Sequence, residues 1–293
     1  MKKLMKVLLG VLLALTIVGC QGTKESYSVK ILCPTGAPAL AFVSEYENIM
    51  KNGQIDFVDG TDMLIAEFSK ANSDYDIIVA PINLGAKLIA NNQTSYKLNG
   101  VVTWGNLYLV GTSEDALDGN GEIALFGEGA VPQKVFNTVN TNKELKQTYY
   151  QSATLVQQQL LAKKVSVGML AEPAATATIA KAKQQGLELK VIKDLQSAYG
   201  KEGYPQAAIF TKGDKNISGL LKGIEEFTGN GYKGLQTYLE TITVEKLKLP
   251  SVDVVVKSIE RQNVRYKKAS DCKDEIKDFL KLFNITYSDD MLS

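Results

Sequence analysis

Short apolar runs that break at proline or glycine and resume at helical spacing dominate this chain. In "ILCPTGAPALAFV", residues 31 to 43, the run Val29 to Leu32 stops at Pro34; after Gly36 and Pro38 come Ala39, Leu40, Ala41, Phe42 and Val43. Proline fixes φ, lacks an N–H and biases its predecessor away from helix. The pattern therefore predicts strand, tight loop and helix, with Pro38 in the first helical turn. The same order returns three times. Ile77 to Ala80 leads to Pro81, then to Asn83 as the expected N-cap, with Leu84, Lys87, Leu88 and Ile89 at helical spacing. Ile123 to Phe126 runs into Gly127, Glu128 and Gly129, with Pro132 early in the next helix. Val165 to Leu170 runs into Glu172 and Pro173, with Gly186 at the expected helix stop. This alternation predicts mainly parallel, doubly wound sheets of an α/β fold, whose ligands sit outside the carboxyl ends of the strands.

The length exceeds what one hydrophobic core usually supports, so two lobes are expected. Strand-like runs at 96–103, 106–112 and 204–211 supply segments that cross between lobes, and Ile217 to Phe227, Gly231 to Leu239 and Ile276 to Phe283 read as helices returning to the first. The expected division places 27–108 and 208–293 in lobe 1 and 109–207 in lobe 2, so that all four Pro/Gly loops face one cleft.

At the N-terminus, Lys2, Lys3 and Lys6 precede the apolar stretch Val7 to Val18. That stretch is shorter than the ~20 residues needed to span a bilayer and reads as a signal peptide over 1–19. Ile17-Val18-Gly19-Cys20 resembles the bacterial lipobox, in which the cysteine is lipidated and becomes the new N-terminus; an ordinary signal with a chance cysteine is the alternative. Residues 20–26 would then be a lipidated tether that holds the protein at a membrane without crossing it.

Taken together, "PTGAPALAF", "DIIVAPINLGAKL", "VTWGNLYLV", "GEGAVPQ" and "LAEPAATA" behind a lipobox resemble the extracellular solute-binding lipoproteins of ABC importers, in the nitrate, sulfonate and thiamine-precursor branch. The resemblance implies a type II periplasmic-binding-protein fold. Its two α/β lobes would close on one solute by a hinge, and a membrane permease would be the partner.

Composition narrows the chemistry. With no His, the commonest general base and metal ligand are missing, and neither an enzyme nor a metal or cofactor site is expected. Enzymes that resemble these binding proteins are intracellular and use His, as far as the resemblance carries. Removing the three signal lysines leaves 30 basic against 32 acidic residues, which offers no basic patch for nucleic acid. The only arginines are Arg261 and Arg265, so no guanidinium clamp is available before them. Cys33 and Cys272 are read as one bridge or two buried thiols.

Candidate ligand contacts are Thr35, Gly36, Ala37 and Pro38 of the first loop, Pro81 and Asn83 of the second, Thr103 and Trp104 near a crossing, Gly127, Glu128 and Gly129 of the third, and Glu172 of the fourth. Each has a structural alternative. The first loop offers N–H groups to a ligand or is a turn and cap, Trp104 stacks on a flat solute or packs in a core, and Glu172 meets ligand or caps its helix. Tyr149 and Tyr150 alternate across a strand, so only one faces the cleft. The segment "DGNGE" at 118–122 reads as a turn and not a calcium loop. Two glutamates and no arginine in these loops favour a neutral or cationic, possibly aromatic solute. Helix N-termini keep an oxyanion open. The reading is a monomeric, membrane-anchored binding protein; a surface lipoprotein that kept the fold and lost transport is the alternative.

Overall fold

Ile31, Leu32 and Cys33 are consecutive, apolar and fully buried, the signature of a strand covered on both faces. They form the middle of β1 (Lys30–Pro34) in the computed structural model, which describes residues 27–213 and 215–293. The expected signal peptide, Cys20 and the tether lie outside the described residues. Ten further strands follow: β2 (Gln54–Val58), β3 (Ile77–Pro81), β4 (Lys97–Thr103), β5 (Leu107–Gly111), β6 (Glu122–Phe126), β7 (Lys146–Tyr150), β8 (Val167–Ala171), β9 (Lys190–Asp194), β10 (Ala207–Thr211) and β11 (Val264–Lys268).

They build two sheets flanked by helices, ordered β11-β4-β10-β3-β1-β2 and β7-β6-β8-β5-β9. In the first, β1 pairs parallel with β2 and β3, whereas β10 pairs antiparallel with β3 and β4, and β11 antiparallel with β4. In the second, β6 pairs parallel with β7 and β8, and β5 antiparallel with β8 and β9. Besides the reversed edge strand β11 of the first sheet, each sheet thus contains a parallel set with one reversed strand inserted at the same interior place. That strand is β10 in the first sheet and β5 in the second, each the first strand after the chain has passed between the sheets, at 104–106 and at 200–206.

Alternation along the strands divides the core. Leu32, Ile78 and Phe210 of the first sheet and Leu109, Leu125 and Met169 of the second share one apolar cluster, joined through Trp104, Tyr204 and Phe279 at the crossing. The opposite face of the first sheet, with Ile31, Val79 and Ile209, packs on residues of the Ser218–Gly229, Leu235–Ile242 and Val252–Gln262 helices. The opposite face of the second sheet carries Val110, Ala124 and Leu170. Phe279, from the Lys273–Lys281 helix, stacks on Tyr204 with ring centroids 5.5 Å apart.

The four strand–loop–helix units fall on β1, β3, β6 and β8 and their following helices. Asn83 is not the expected N-cap: Pro81 takes that place and Asn83 lies inside the Ile82–Ala90 helix, because β3 extends through Pro81 and the helix begins at once. Tyr149 and Tyr150 do alternate, one packing on the shared cluster and the other on the outer face of the second sheet. Cys33 and Cys272 are both free and buried.

Candidate functional site

The carboxyl ends of the parallel strands meet the two crossing segments. Ala207, the first residue of β10, is paired with Pro81 at the end of β3 and with Thr103 at the end of β4, and Leu107, the first residue of β5, is paired with Ala171 at the end of β8. Backbone bonds fasten this junction. Ile82 N–H donates to the Gln206 carbonyl at 3.0 Å, Gln206 N–H to the Thr103 carbonyl at 2.9 Å, and Glu172 N–H to the Asn106 carbonyl at 2.9 Å. The Asn106 amide returns a bond to the Glu172 carbonyl at 3.0 Å.

Most of the first loop's donors are already used. Thr35 N–H bonds the Val58 carbonyl at 2.9 Å and Gly36 N–H bonds the Leu247 carbonyl at 3.1 Å. The Thr35 hydroxyl donates to Asp59 at 2.7 Å. Gly36 adopts φ 84° and ψ −147°, a conformation that excludes a side chain at little other cost, since a Cβ there would meet nothing within 4 Å. Lys248 pairs with the other Asp59 oxygen, and hydrogen bonds from Lys248 and Thr35 hold that carboxyl below its usual range. The Thr35 and Gly36 N–H groups named as candidates are thus bonded within the protein; Ala37 is buried and Pro38 half-buried beside them.

Thr103 and Trp104 lie packed at the crossing. Both are 0% exposed. The Thr103 hydroxyl accepts from Ala207 N–H at 3.0 Å, and the Trp104 indole donates to the Arg265 carbonyl at 3.2 Å with the Arg265 guanidinium 4.8 Å from its ring. The ring is committed to fixing the crossing, and its face is taken by a cation of the protein itself.

Glu172 caps its helix and pairs across the junction. Its carboxylate accepts from Thr176 N–H at 3.0 Å and from the Thr176 hydroxyl at 2.9 Å, capping the Ala174–Gln184 helix. It also receives Arg261 Nε at 2.7 Å, and Arg261 reaches the Thr176 hydroxyl at 2.6 Å. Arg261 belongs to the helix packed on the first sheet and Glu172 to the second, so this fully buried carboxylate is a tie between lobes. The Tyr108 hydroxyl donates to the Arg261 carbonyl at 2.9 Å; burial, then the charge of Asp194, pushes that phenol well above its ordinary range. Gly127, Glu128 and Gly129 stand apart. Glu128 and Gly129 are exposed, Gly129 N–H bonds the Gln133 side chain at 2.8 Å, and Ala130 N–H turns back to Gly127.

Sequence reasoning missed the polar atoms left over at the junction. Asn83 Oδ1, Asn106 Oδ1, Gln206 Oε1 and Gln262 Oε1 are buried without a hydrogen-bond partner, as is the Tyr204 hydroxyl of the same crossing segment. Asn106 and Gln206 each open a crossing strand as a polar residue directly ahead of an apolar run, a visible signal. Arg261 and Gln262 had a weaker one, Ser251 capping a helix whose Val255 and Ile259 face inward. Among the described residues no three His, Cys, Asp or Glu side chains form a metal-binding group.

No family model and no curated relative matches the chain. Solved structures do. An ABC transporter from Parabacteroides distasonis is similar with 25% identity and TM-score 0.74, over 87% of this chain and 91% of that one. The periplasmic aliphatic sulphonate-binding protein SsuA from Escherichia coli is similar with 15% identity and TM-score 0.62, over 88% and 87%. The periplasmic nitrate-binding protein NrtA from Synechocystis is similar with 12% identity and TM-score 0.56, over 91% and 84%. The chain has the two-sheet fold of ABC-transporter substrate-binding proteins.

Proposed function

We propose that this chain is the lipid-anchored, extracytoplasmic solute-binding component of an ABC importer, a monomer that captures one small molecule between its lobes and delivers it to a permease. The observation that carries the reading is the repeated topology. Two sheets of matching order place the carboxyl ends of β3, β4 and β8 at the two segments that pass between them, which is where open α/β sheets bind ligands. The shared fold supports a binding role, and the anchor rests on Lys2 to Cys20 of the sequence. Among the described residues no helix is long and apolar enough to cross a membrane.

Function then follows from closure. Rotation about 104–106 and 200–206 moves one sheet relative to the other, and a solute touching both lobes favours the closed arrangement by its differential contacts. No bond of the solute need be broken. Native mass spectrometry of the full chain, purified in detergent without added solute, tests this: a stoichiometric small-molecule adduct is expected. A bare chain that also gives no thermal shift with pyrimidines, amines or sulfonates overturns the reading.

A further inference from the structure

We infer that the junction recognises a solute by its hydrogen-bond donors: a small neutral or singly charged cationic molecule rich in N–H groups, held by the amide oxygens of Asn83, Asn106, Gln206 and Gln262. This rests on the binding-protein reading above and names the chemistry of that site.

Two of the four amides have their orientation fixed. Asn106 Nδ2 donates to the Glu172 carbonyl at 3.0 Å, and Gln262 Nε2 donates to the Ser258 hydroxyl at 3.0 Å, whose own proton goes to the Val254 carbonyl at 2.8 Å. Their oxygens therefore cannot be exchanged for nitrogens without losing those bonds, and they remain acceptors without donors. Asn106 is 4% and Gln262 0% exposed, so these atoms have been taken out of water. Native proteins leave few such groups unsatisfied, and a ligand is one of the partners that completes them.

The four belong to one neighbourhood. Gln206 is bonded through its backbone to Ile82, next to Asn83, and to Thr103; Trp104, the next residue, exchanges bonds with Asn263, the neighbour of Gln262. Asn106 is bonded to Glu172, whose carboxylate holds Arg261, on the other side of Gln262.

An oxyanion needs the opposite equipment, and much of what this junction would offer one is spent. The N–H groups of Thr35, Gly36, Ile82, Gly129, Ala130 and Glu172 are bonded within the protein. The N-terminus of the Ala174–Gln184 helix already has an anion, because Thr176 N–H bonds the Glu172 carboxylate. Four acceptor oxygens facing an anion would set lone pair against lone pair.

The test is isothermal titration of the full chain in detergent with cytosine, benzamidine and butylamine as donor probes and nitrate and methanesulfonate as oxyanions. At least one donor probe is expected to bind, with Kd raised about tenfold in Gln206→Leu and in Asn83→Leu, both half-buried positions, and neither anion is expected to give heat. Circular dichroism checks that the variants fold, and Asn83→Asp, which retains the acceptor, should keep the affinity of a cationic probe. Binding of an anion by the native chain overturns this inference and leaves the binding-protein reading standing, as does a donor probe whose affinity neither leucine variant changes. Silence from all five probes counts against both.

Discussion

The loop after β1 and the loop after β6 hold equivalent places in the two sheets, yet they are fastened differently. In the first lobe, the return segment ahead of the Val252–Gln262 helix reaches back over the loop: Leu247 takes the Gly36 N–H and Lys248 takes Asp59, which also holds the Thr35 hydroxyl. In the second lobe the bonds of the Gly127–Ala130 loop are local: to itself, to Gln133 and to Lys134 of the helix that follows. The first sheet also gains β11 at its edge, while the edge strand β7 of the second is half exposed along its length. One topology thus serves two mechanical roles. The C-terminal third of the chain turns the first lobe into a braced wall, and the second lobe keeps an unbraced rim.

The tie between the two lobes should break with the largest effect. Arg261→Ala leaves the Glu172 carboxylate, 0% exposed in its side chain, with Thr176 alone for company. Removing one partner of a buried pair costs several kcal/mol; because Arg261 itself is 42% exposed, we expect about 3 kcal/mol in urea unfolding. Glu172→Gln, which still accepts from Thr176, should lose less, and equal losses would mean that the pair is not what binds the lobes.

Packing comes next. A Cβ on Gly85 would lie 2.2 Å from the Phe210 ring, against 2.7 Å from Val156 for Gly168 of the second sheet. Gly85→Val is expected to cost about 2 kcal/mol and Gly168→Val about 1 kcal/mol, since the first site meets a buried ring and the second the ends of branched aliphatic chains. The reverse order in thermal melts would contradict the braced-wall description.

The smallest effect is one of pH. Asp59 has its carboxyl lowered from 3.8 in the folded chain by Lys248 and Thr35, so its contribution is present above that value and is lost as the pH falls through the depressed one. Amide exchange at Gly36 should quicken on acidification below about pH 4, relative to the intrinsic exchange rate, while Gly129 shows no such change. Asp59→Asn should abolish the difference between them.

What was legible in the sequence was what local rules decide. The four units at β1, β3, β6 and β8 are readable because Pro34, Pro81, Gly127 and Glu172-Pro173 cut apolar runs where those strands end or within two residues beyond. β2, β9 and β11 were missed: "QIDFV", "KVIKD" and "VRYKK" mix charge into short strands at or near sheet edges, where water tolerates it. The junction was least readable. Trp104 stays open between a stacking platform and a core residue in the sequence because only the fold brings Arg265 onto its face, 161 residues away, and nothing local links Arg261 to Glu172. The structural alternative for Glu172, a helix cap, is local; its partner Arg261 is not.

The central claim is that the two lobes close on a solute, and an interlobe distance tests it most directly. Spin labels at Gln184→Cys and Lys222→Cys, in a Cys20→Ser background, place one probe on each lobe at exposed helical positions. The native thiols stay silent, since Cys33 is fully buried and burial raises Cys272 to about 12. Protein stripped by unfolding and refolding should give a longer or broader distance distribution than protein as purified, and adding back the small-molecule extract should restore the shorter one. A single distribution, identical in the stripped, purified and reloaded samples, would contradict the account.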